Sequence, residues 1–213
     1  MGRVTGQQGY DAIADIYAST FPTAYQFPIE RHAVAAFAEV VGDREGVVVD
    51  VGCGVGHVTA DLVDRGLAAL GCDPSAAMLD HARRQYPELT FIESDAGAAL
   101  SALGPIAAII ARFSLVHLEP ASVAHVLGLW SARLTAGTPV LIAFQASDER
   151  GAPILFDHAV APAWRWHPDE FAALLGLNGF HEDWRIVHRD NSYRFPMAHL
   201  LVHRALGTAL VTG

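Results

Sequence analysis

Several features are scarce in this chain of 213 residues, and each scarcity argues against a class of protein. Only two cysteines occur, Cys53 and Cys72, so a disulfide framework is not expected. This cysteine content predicts a reducing, cytoplasmic compartment. The 14 basic residues are outnumbered by 23 acidic ones, and no basic stripe is present. Nucleic acid and anionic membrane surfaces are therefore not expected partners, and a neutral or cationic small molecule suits the acidic chain better.

Long apolar runs are also missing. The longest uncharged stretch lies between Asp95 and Arg112 and is interrupted by two glycines and a proline, so it is unsuited to a membrane span. Residues 1–8 are polar, which predicts no signal peptide. The histidines lack the spacing of metal ligands, so no metal site is expected. Length and 52% hydrophobic content predict a single soluble domain over residues 1–213.

The most informative segment is a glycine loop that follows an apolar run. Val47–Val51 has the continuous β-branched pattern of a strand buried on both faces. Glycines then stand at positions 52, 54 and 56, which allows a tight turn and the close approach of a ligand to bare backbone. Asp50 places a carboxylate beside this gap, just before the predicted start of a helix near His57.

Three interpretations of the loop compete. In a dinucleotide-binding loop the third glycine would come one residue later, where His57 stands, and Asp50 would repel a pyrophosphate. A nicotinamide-dependent oxidoreductase is therefore disfavoured. A ligand carrying an ammonium group would instead be attracted by Asp50. A structural turn without a ligand is the remaining alternative.

Acids also follow the next two predicted strands. Asp73 comes after Leu67–Cys72, near the spacing at which doubly wound folds place a carboxylate for ribose hydroxyls. Asp73-Pro74-Ser75 is equally good helix-capping sequence, and the two roles are compatible. A third strand, Thr90–Glu93, is followed by Asp95. Three strands thus end in acids at one edge of the predicted sheet.

The alternation of strands and helices predicts a parallel sheet covered by helices on both faces. The remaining predicted strands are Ile106–Arg112 and Thr138–Gln145, followed by a hairpin of about His181–Arg189 and Tyr193–Arg204 that turns at residues 190–191. The predicted helices are Tyr10–Ser19, Ile29–Val41, Ala121–Leu134 and Pro168–Leu175, with two more beginning near His57 and Ser75.

These motifs resemble those of the class I S-adenosylmethionine-dependent methyltransferases that act on small molecules. Residues 50–56 are similar to the family's E/D-x-G-x-G-x-G loop, and residues 71–79 to its second-strand acid with the following Met-Leu pair. Residues 93–96 are similar to the third-strand acid, and residues 109–118 to the fourth-strand motif with its Ser-Leu-x-His-Leu ending. Residues 10–17, Tyr-Asp-Ala-Ile-Ala-Asp-Ile-Tyr, resemble a helix that caps the cofactor.

The resemblance implies a Rossmann-like, doubly wound fold. It consists of a mostly parallel seven-stranded sheet with an antiparallel C-terminal strand, N-terminal cap helices within residues 1–45 and a substrate-side insert over residues 147–167. The implied activity is in-line transfer of a methyl group from S-adenosyl-L-methionine to a small-molecule acceptor, leaving S-adenosyl-L-homocysteine. The alternative is a protein that binds these compounds without transfer. A monomer or a homodimer is expected.

The residues expected to bind the cofactor are Tyr10, Tyr17, Asp50, Gly52, Cys53, Gly54, Gly56, His57, Asp73, Pro74, Met78, Asp95, Ala96, Arg112, Phe113 and Ser114. Asp50 is suited to the α-ammonium and Asp73 to the ribose, and by family analogy Asp95 binds the adenine amino group. Arg112 has two equal interpretations, a partner for the cofactor carboxylate or for a neighbouring acid. Tyr10 and Tyr17 are either lid residues or core residues.

On the acceptor side, His117 follows the fourth strand. It is either a general base or a residue that shapes the pocket. Gln145, Trp164, Trp166 and Tyr193 are further candidates for contact with the substrate, and one of the two tryptophans is expected to belong to the core instead.

Overall fold

The computed structural model describes residues 6–206. Six α-helices occur there: α1 Gly6–Thr20, α2 Pro28–Val41, α3 His57–Asp64, α4 Ala76–Gln85, α5 Pro120–Arg133 and α6 Pro168–Leu177. The strands are β1 Val47–Val51, β2 Ala69–Asp73, β3 Thr90–Glu93, β4 Ile106–Arg112, β5 Pro139–Gln145, β6 Ile154–Phe156, β7 Ala163–Arg165, β8 Phe180–His188 and β9 Met197–Arg204. A short 3₁₀ turn, Leu115–His117, follows β4.

Seven of these strands form one sheet in the order β3-β2-β1-β4-β5-β9-β8. The pairs among the first five strands are parallel, and β9 runs antiparallel to both β5 and β8. The predicted mostly parallel sheet with an antiparallel C-terminal strand is therefore confirmed. The order of the strands reverses between β1 and β4, and ligands in open α/β sheets bind outside the carboxyl ends of strands at such a reversal.

Helices cover both faces of the sheet. On one face, Phe37 of α2 is buried with Ile110 of β4 and Leu201 of β9. On the other face, Trp130 of α5 is buried in the larger core, and its indole N–H donates to the carbonyl of Ala96 at 2.8 Å. Burial on both faces explains why β4 and β5 are nearly continuous apolar runs.

The structure corrects the prediction in two places. The predicted loop-rich insert contains an antiparallel hairpin, with Ile154–Phe156 of β6 paired to Ala163–Arg165 of β7. The last strand begins at Met197 rather than at Tyr193, because residues 189–196 form the connection from β8. That connection turns where expected, since the carboxylate of Asp190 accepts the backbone N–H of Ser192 at 2.8 Å. No helix within residues 6–206 is long and apolar enough to cross a bilayer.

Candidate active site

A cavity of about 1030 Å³ lies at the carboxyl ends of β1, β2, β4 and β5. Its floor includes Asp50, Asp73, Arg112 and Gln145, which stand at or near the ends of these strands. Helix α1 and the insert complete its walls. This volume is at the upper end of the usual range for ligand pockets, so it can hold a nucleoside-sized compound and a second small molecule.

The glycine loop borders this cavity. Gly52, Gly54 and Gly56 all have positive φ angles, of 74°, 54° and 84°. A Cβ atom at Gly54 would meet no atom within 4 Å, whereas one at Gly52 would lie 2.2 Å from the Cβ of Ser114. Gly54 therefore leaves room for a ligand, while Gly52 allows the loop to pack against the segment that follows β4.

Asp73 connects the second strand to this loop. Its Oδ2 accepts the backbone N–H of Gly54 and its Oδ1 accepts that of Ser75, each at 2.9 Å. Burial raises the pKa of Asp73, although these two hydrogen bonds oppose the shift. The cap of α4 is Ser75, whose hydroxyl accepts the N–H of Met78 at 3.1 Å. Asp73 thus orients the loop and leaves further lone pairs for a ligand.

Asp50 is the second buried acid of the site. It is 2% exposed, and its Oδ2 accepts the hydroxyl of Thr59 at 2.7 Å. Burial raises the pKa of Asp50 to about 6, against the opposing effects of the Thr59 hydrogen bond and the Arg112 charge. The ionised form is therefore costly without a ligand, and a cation bound in the cavity would stabilise it.

Helix α1 lies across the glycine loop and the start of α4. Tyr10, Ala14 and Tyr17 pack in one cluster with Val55 and Met78. Because these aromatic rings also line the cavity, α1 forms part of its wall.

A hydrogen bond connects α1 to the start of α4. The carboxylate of Asp11 accepts the hydroxyl of Ser75 at 2.6 Å. Asp11 was not among the candidate residues from the sequence, although it belongs to the helix motif that was recognised there.

His117 has two hydrogen-bond partners, and these show which of its ring nitrogens carries the proton. Its Nδ1–H donates to the carbonyl of Pro162 at 3.1 Å, because a carbonyl can only accept. Burial lowers the pKa of His117, so the ring is neutral and Nε2 carries a lone pair. The hydroxyl of Tyr10 lies 3.3 Å from Nε2 and donates to it.

A second histidine in the cavity, His158, was missed by sequence reasoning. It lies between β6 and β7, and its ring centroid is 4.9 Å from that of His117. The backbone N–H of Val160 donates to its Nδ1 at 3.3 Å. Burial and the neighbouring His117 lower the pKa of His158 to about 4, so the neutral ring carries its proton on Nε2.

The structure brings most of the candidate residues to the cavity. Those that line it are Tyr10, Tyr17, Asp50, Gly52, Cys53, Gly54, His57, Asp73, Pro74, Met78, Arg112, Phe113, Ser114, His117, Gln145, Trp164 and Tyr193.

Four candidate residues do not line the cavity. Gly56 caps α3 and packs against Phe91. Asp95 is exposed, and its Oδ1 accepts the N–H groups of residues 97 and 98, both at 2.8 Å. Ala96 also lies outside. Trp166 is only 6% exposed and packs on Phe171 with ring centroids 5.2 Å apart, so it belongs to the core rather than to a substrate wall.

Arg112 pairs with an acid of the chain. Its Nη2 lies 3.3 Å from Oε1 of Glu30, and both side chains are buried. Its Nη1 donates to the carbonyl of Ala24 at 3.1 Å. Of the two interpretations of Arg112, the neighbouring acid is the contact that the structure contains. The sequence could not indicate it, since 82 positions separate the partners.

One group among the described residues has the composition of a metal-binding cluster. His181, Asp183 and His203 come together near one end of β8 and β9, and Asp183 accepts a hydrogen bond from His203 at 2.7 Å. The cluster is mostly exposed and does not line the cavity. The absence of a metal stays a prediction.

The chain is similar to known methyltransferases. Residues 48–137 match a family model described as a methyltransferase domain. Demethylmenaquinone methyltransferase of Beutenbergia cavernae is 34% identical over 87 residues, which are 40% of this chain and 36% of that protein. Trans-aconitate 2-methyltransferase of an Enterobacter species, strain 638, is 42% identical over 79 residues, which are 35% of this chain and 31% of that protein. The chain thus matches only about a third of the length of these relatives.

A solved structure extends the likeness to almost the whole chain. Magnesium protoporphyrin IX methyltransferase of Synechocystis PCC 6803, crystallised with S-adenosylmethionine, superposes with a TM-score of 0.64. The superposition covers 94% of this chain and 93% of that one, with 20% sequence identity. At this identity the likeness shows a shared fold only. Residues 48–137 therefore match a methyltransferase domain, and the chain has the fold of the S-adenosylmethionine-dependent methyltransferases.

Proposed function

We propose that this chain is an enzyme that binds S-adenosylmethionine in the cavity and transfers its methyl group to a small-molecule acceptor. The observation that carries the proposal is the continuity of one cavity from the glycine loop to His117 and the insert. A binding site for the cofactor alone would not need the second half of this cavity.

The first half fits a sulfonium nucleoside. The open backbone at Gly54 admits the methionine part, and Asp50 supplies a negative charge for the α-ammonium. Asp73 is assigned to the two ribose hydroxyls, since each of its oxygens accepts only one protein N–H and retains a lone pair. Asp95 remains our candidate for the adenine amino group, beyond the edge of the cavity.

Methyl transfer needs few chemical groups from the protein. When bound, the cofactor supplies an electrophilic methyl group on a sulfonium, so catalysis depends mainly on alignment and exclusion of water. Helix α1 covers the site through Tyr10 and Tyr17, and we assign this cover the role of a lid. The unprotonated Nε2 of His117 accepts the hydroxyl of Tyr10, and we assign it the role of taking a proton from an acceptor molecule that replaces this contact.

We assign the protein to the cytoplasm because both of its cysteines are free thiols. A small-molecule acceptor, the absence of nucleic-acid and membrane partners, and a monomeric or homodimeric state also remain our proposals.

Two measurements test the function. Isothermal titration calorimetry with S-adenosylhomocysteine tests binding, and transfer of a labelled methyl group from S-adenosylmethionine to a library of metabolites tests turnover. We expect binding together with at least one labelled product. Binding without any product would favour a binding protein that lacks transfer activity, and no binding of S-adenosylhomocysteine would refute the proposal.

A further inference from the structure

The acceptor half of the cavity has aromatic walls. Phe156, Trp164, Tyr193 and Phe195 line it, contributed by the insert and by the connection between β8 and β9. Phe156 and Phe195 pack edge to face with ring centroids 5.1 Å apart. Such walls favour a flat, apolar ring over a flexible polar chain.

The same half holds two neutral imidazole rings that are protonated on different nitrogen atoms. Nε2 of His117 is a lone-pair acceptor, because its Nδ1–H donates to the carbonyl of Pro162, and without a substrate this Nε2 accepts the hydroxyl of Tyr10 at 3.3 Å. Nε2 of His158 carries a proton, because its Nδ1 accepts from Val160. Both rings line the cavity and their centroids are 4.9 Å apart, so a hydroxyl that takes the place of the Tyr10 hydroxyl at His117 would lie close to His158 as well.

Only some acceptor groups match this pair. A hydroxyl accepts from one ring and donates to the other, whereas a carboxylate can only accept and an ammonium can only donate. The two arginines that line the described cavity already contact other groups of the chain, although the buried Nε of Arg112 has no partner. Arg112 pairs with Glu30, and Arg194 is exposed, stacks over Phe195 at 4.8 Å and donates to the carbonyl of Asp157.

Helix α1 and the insert close over this half. A Cβ atom at Gly9 would lie 2.6 Å from the carbonyl oxygen of Val160, so α1 and the loop that carries His158 are in backbone contact. This contact holds His158 in the wall of the cavity and limits access of water to the acceptor.

From these observations, and resting on the function proposed above, we infer that the acceptor is an aromatic hydroxyl compound. His158 is its positioning residue: it donates Nε2–H to the reacting oxygen, while His117 takes the proton. As the oxygen bonds to the methyl carbon, the carbon–sulfur bond breaks and its electron pair stays on sulfur. The hydroxyl proton passes to Nε2 of His117 and then to solvent. The products are an aryl methyl ether and S-adenosylhomocysteine.

The low basicity of these rings agrees with this acceptor class. Burial lowers the pKa of both His117 and His158. A weak base removes a proton more easily from an aromatic hydroxyl than from an aliphatic alcohol, because the aromatic hydroxyl is the stronger acid.

Three probes that share one ring system test the inference: 2-naphthol, 2-naphthoate and 2-naphthylmethylamine. Each is titrated by calorimetry into the protein, with and without saturating S-adenosylhomocysteine, and each is offered with labelled S-adenosylmethionine. We expect 2-naphthol to bind at least tenfold more tightly than the other two and to be the probe that is methylated. Equal affinities, or a preference for the acid or the amine, would overturn the acceptor class.

Variants of His158 test its role. His158→Phe keeps a ring but removes the N–H, so we expect the affinity for 2-naphthol to fall about tenfold while that for S-adenosylhomocysteine stays the same. His158→Gln restores a donor and should recover part of the loss. The control is His125→Phe at an exposed histidine of α5. Unchanged binding of 2-naphthol in His158→Phe would refute the role.

The two proposals fail separately. Loss of S-adenosylhomocysteine binding by the unmodified protein would refute the proposed function, whereas intact binding without a preference for 2-naphthol would refute only the acceptor class. An alcohol series adds a second measurement, since cyclohexanol should bind more weakly than phenol if the aromatic walls select the ring.

Discussion

Oδ2 of Asp73 accepts the backbone N–H of Gly54 at 2.9 Å, so the acid that ends β2 holds the loop that follows β1. The same carboxylate accepts the N–H of Ser75 at the start of α4. Asp73 therefore has two roles in the site, since it orients the glycine loop and presents its remaining lone pairs to the cavity.

Replacing Asp73 by Ala should weaken the binding of S-adenosylhomocysteine by about 10- to 100-fold, equivalent to 1–3 kcal/mol, because hydrogen bonds to both the ribose and the loop are lost. Calorimetry measures the dissociation constant. Asp80→Ala is the control, because Asp80 is exposed on the same helix that Ser75 caps. Equal affinities of the two variants would remove Asp73 from the site.

Replacing Gly54 by Val should abolish cofactor binding, because the side chain would occupy the open space above the loop. Gly66→Val is a matched control. Gly66 also has a positive φ angle, of 87°, and no atom within 4 Å of a Cβ, yet it does not line the cavity. Both variants bear backbone strain, so the thermal stability of both should fall, while only Gly66→Val should still bind the cofactor. Normal binding by Gly54→Val would refute the assignment of the loop.

The affinity for S-adenosylhomocysteine should rise about tenfold between pH 5 and pH 7, because the carboxyl group of Asp50 ionises in this range. Its folded-state pKa of about 6 lies above the ordinary value of 3.8, so ionisation, which attracts the ligand's ammonium, is completed over this interval. Calorimetry across this pH range, with Asp50→Asn for comparison, measures the effect. The variant should bind more weakly at pH 7 and lose most of the slope, and an unchanged slope would contradict the role of Asp50.

Without a ligand, the contribution of Asp50 to the free energy of unfolding should fall as the pH rises, whereas its contribution to ligand affinity rises. Because the folded-state pKa of Asp50 is raised, its contribution to stability is complete below about pH 4 and is lost as the pH rises through 6. Urea denaturation of the wild-type protein and of Asp50→Asn should show this loss only in the wild type. Parallel pH profiles would mean that the carboxyl group titrates alike in the folded and unfolded chains.

Replacing Arg112 by Met should lower the free energy of unfolding by about 3 kcal/mol, because the carboxylate of Glu30 stays buried without its counter-charge. Arg189→Met is the control. Arg189 pairs with Asp148 at the surface, where such pairs contribute about 1 kcal/mol or less. Urea denaturation at pH 7 compares the two. Similar losses in the two variants would show that the buried ion pair contributes no more to the free energy of unfolding than the surface pair does.

Local pattern was sufficient for the strands that form the floor of the site. The predicted bounds of Val47–Val51 and Ile106–Arg112 are those of the structure, because strands buried on both faces are marked by largely apolar runs. The bounds of Thr90–Glu93 also agree, although this strand lies at the edge of the sheet and both its ends are exposed. The hairpin β6–β7 was missed, since strands of three residues carry too few positions to show a period.

The sequence by itself determined the alternation of strands and helices, the glycine loop and the acids at the strand ends, because each depends on residues that are neighbours along the chain. The seven-stranded sheet with its antiparallel strand came from the resemblance to a known family. The tertiary structure alone decided which distant side chains share the cavity. It paired Arg112 with Glu30, placed His158 beside His117, and assigned Trp164 to the cavity and Trp166 to the core. These relationships follow from the packing of separate elements, and periodicity within one element contains no information about which partner it will meet.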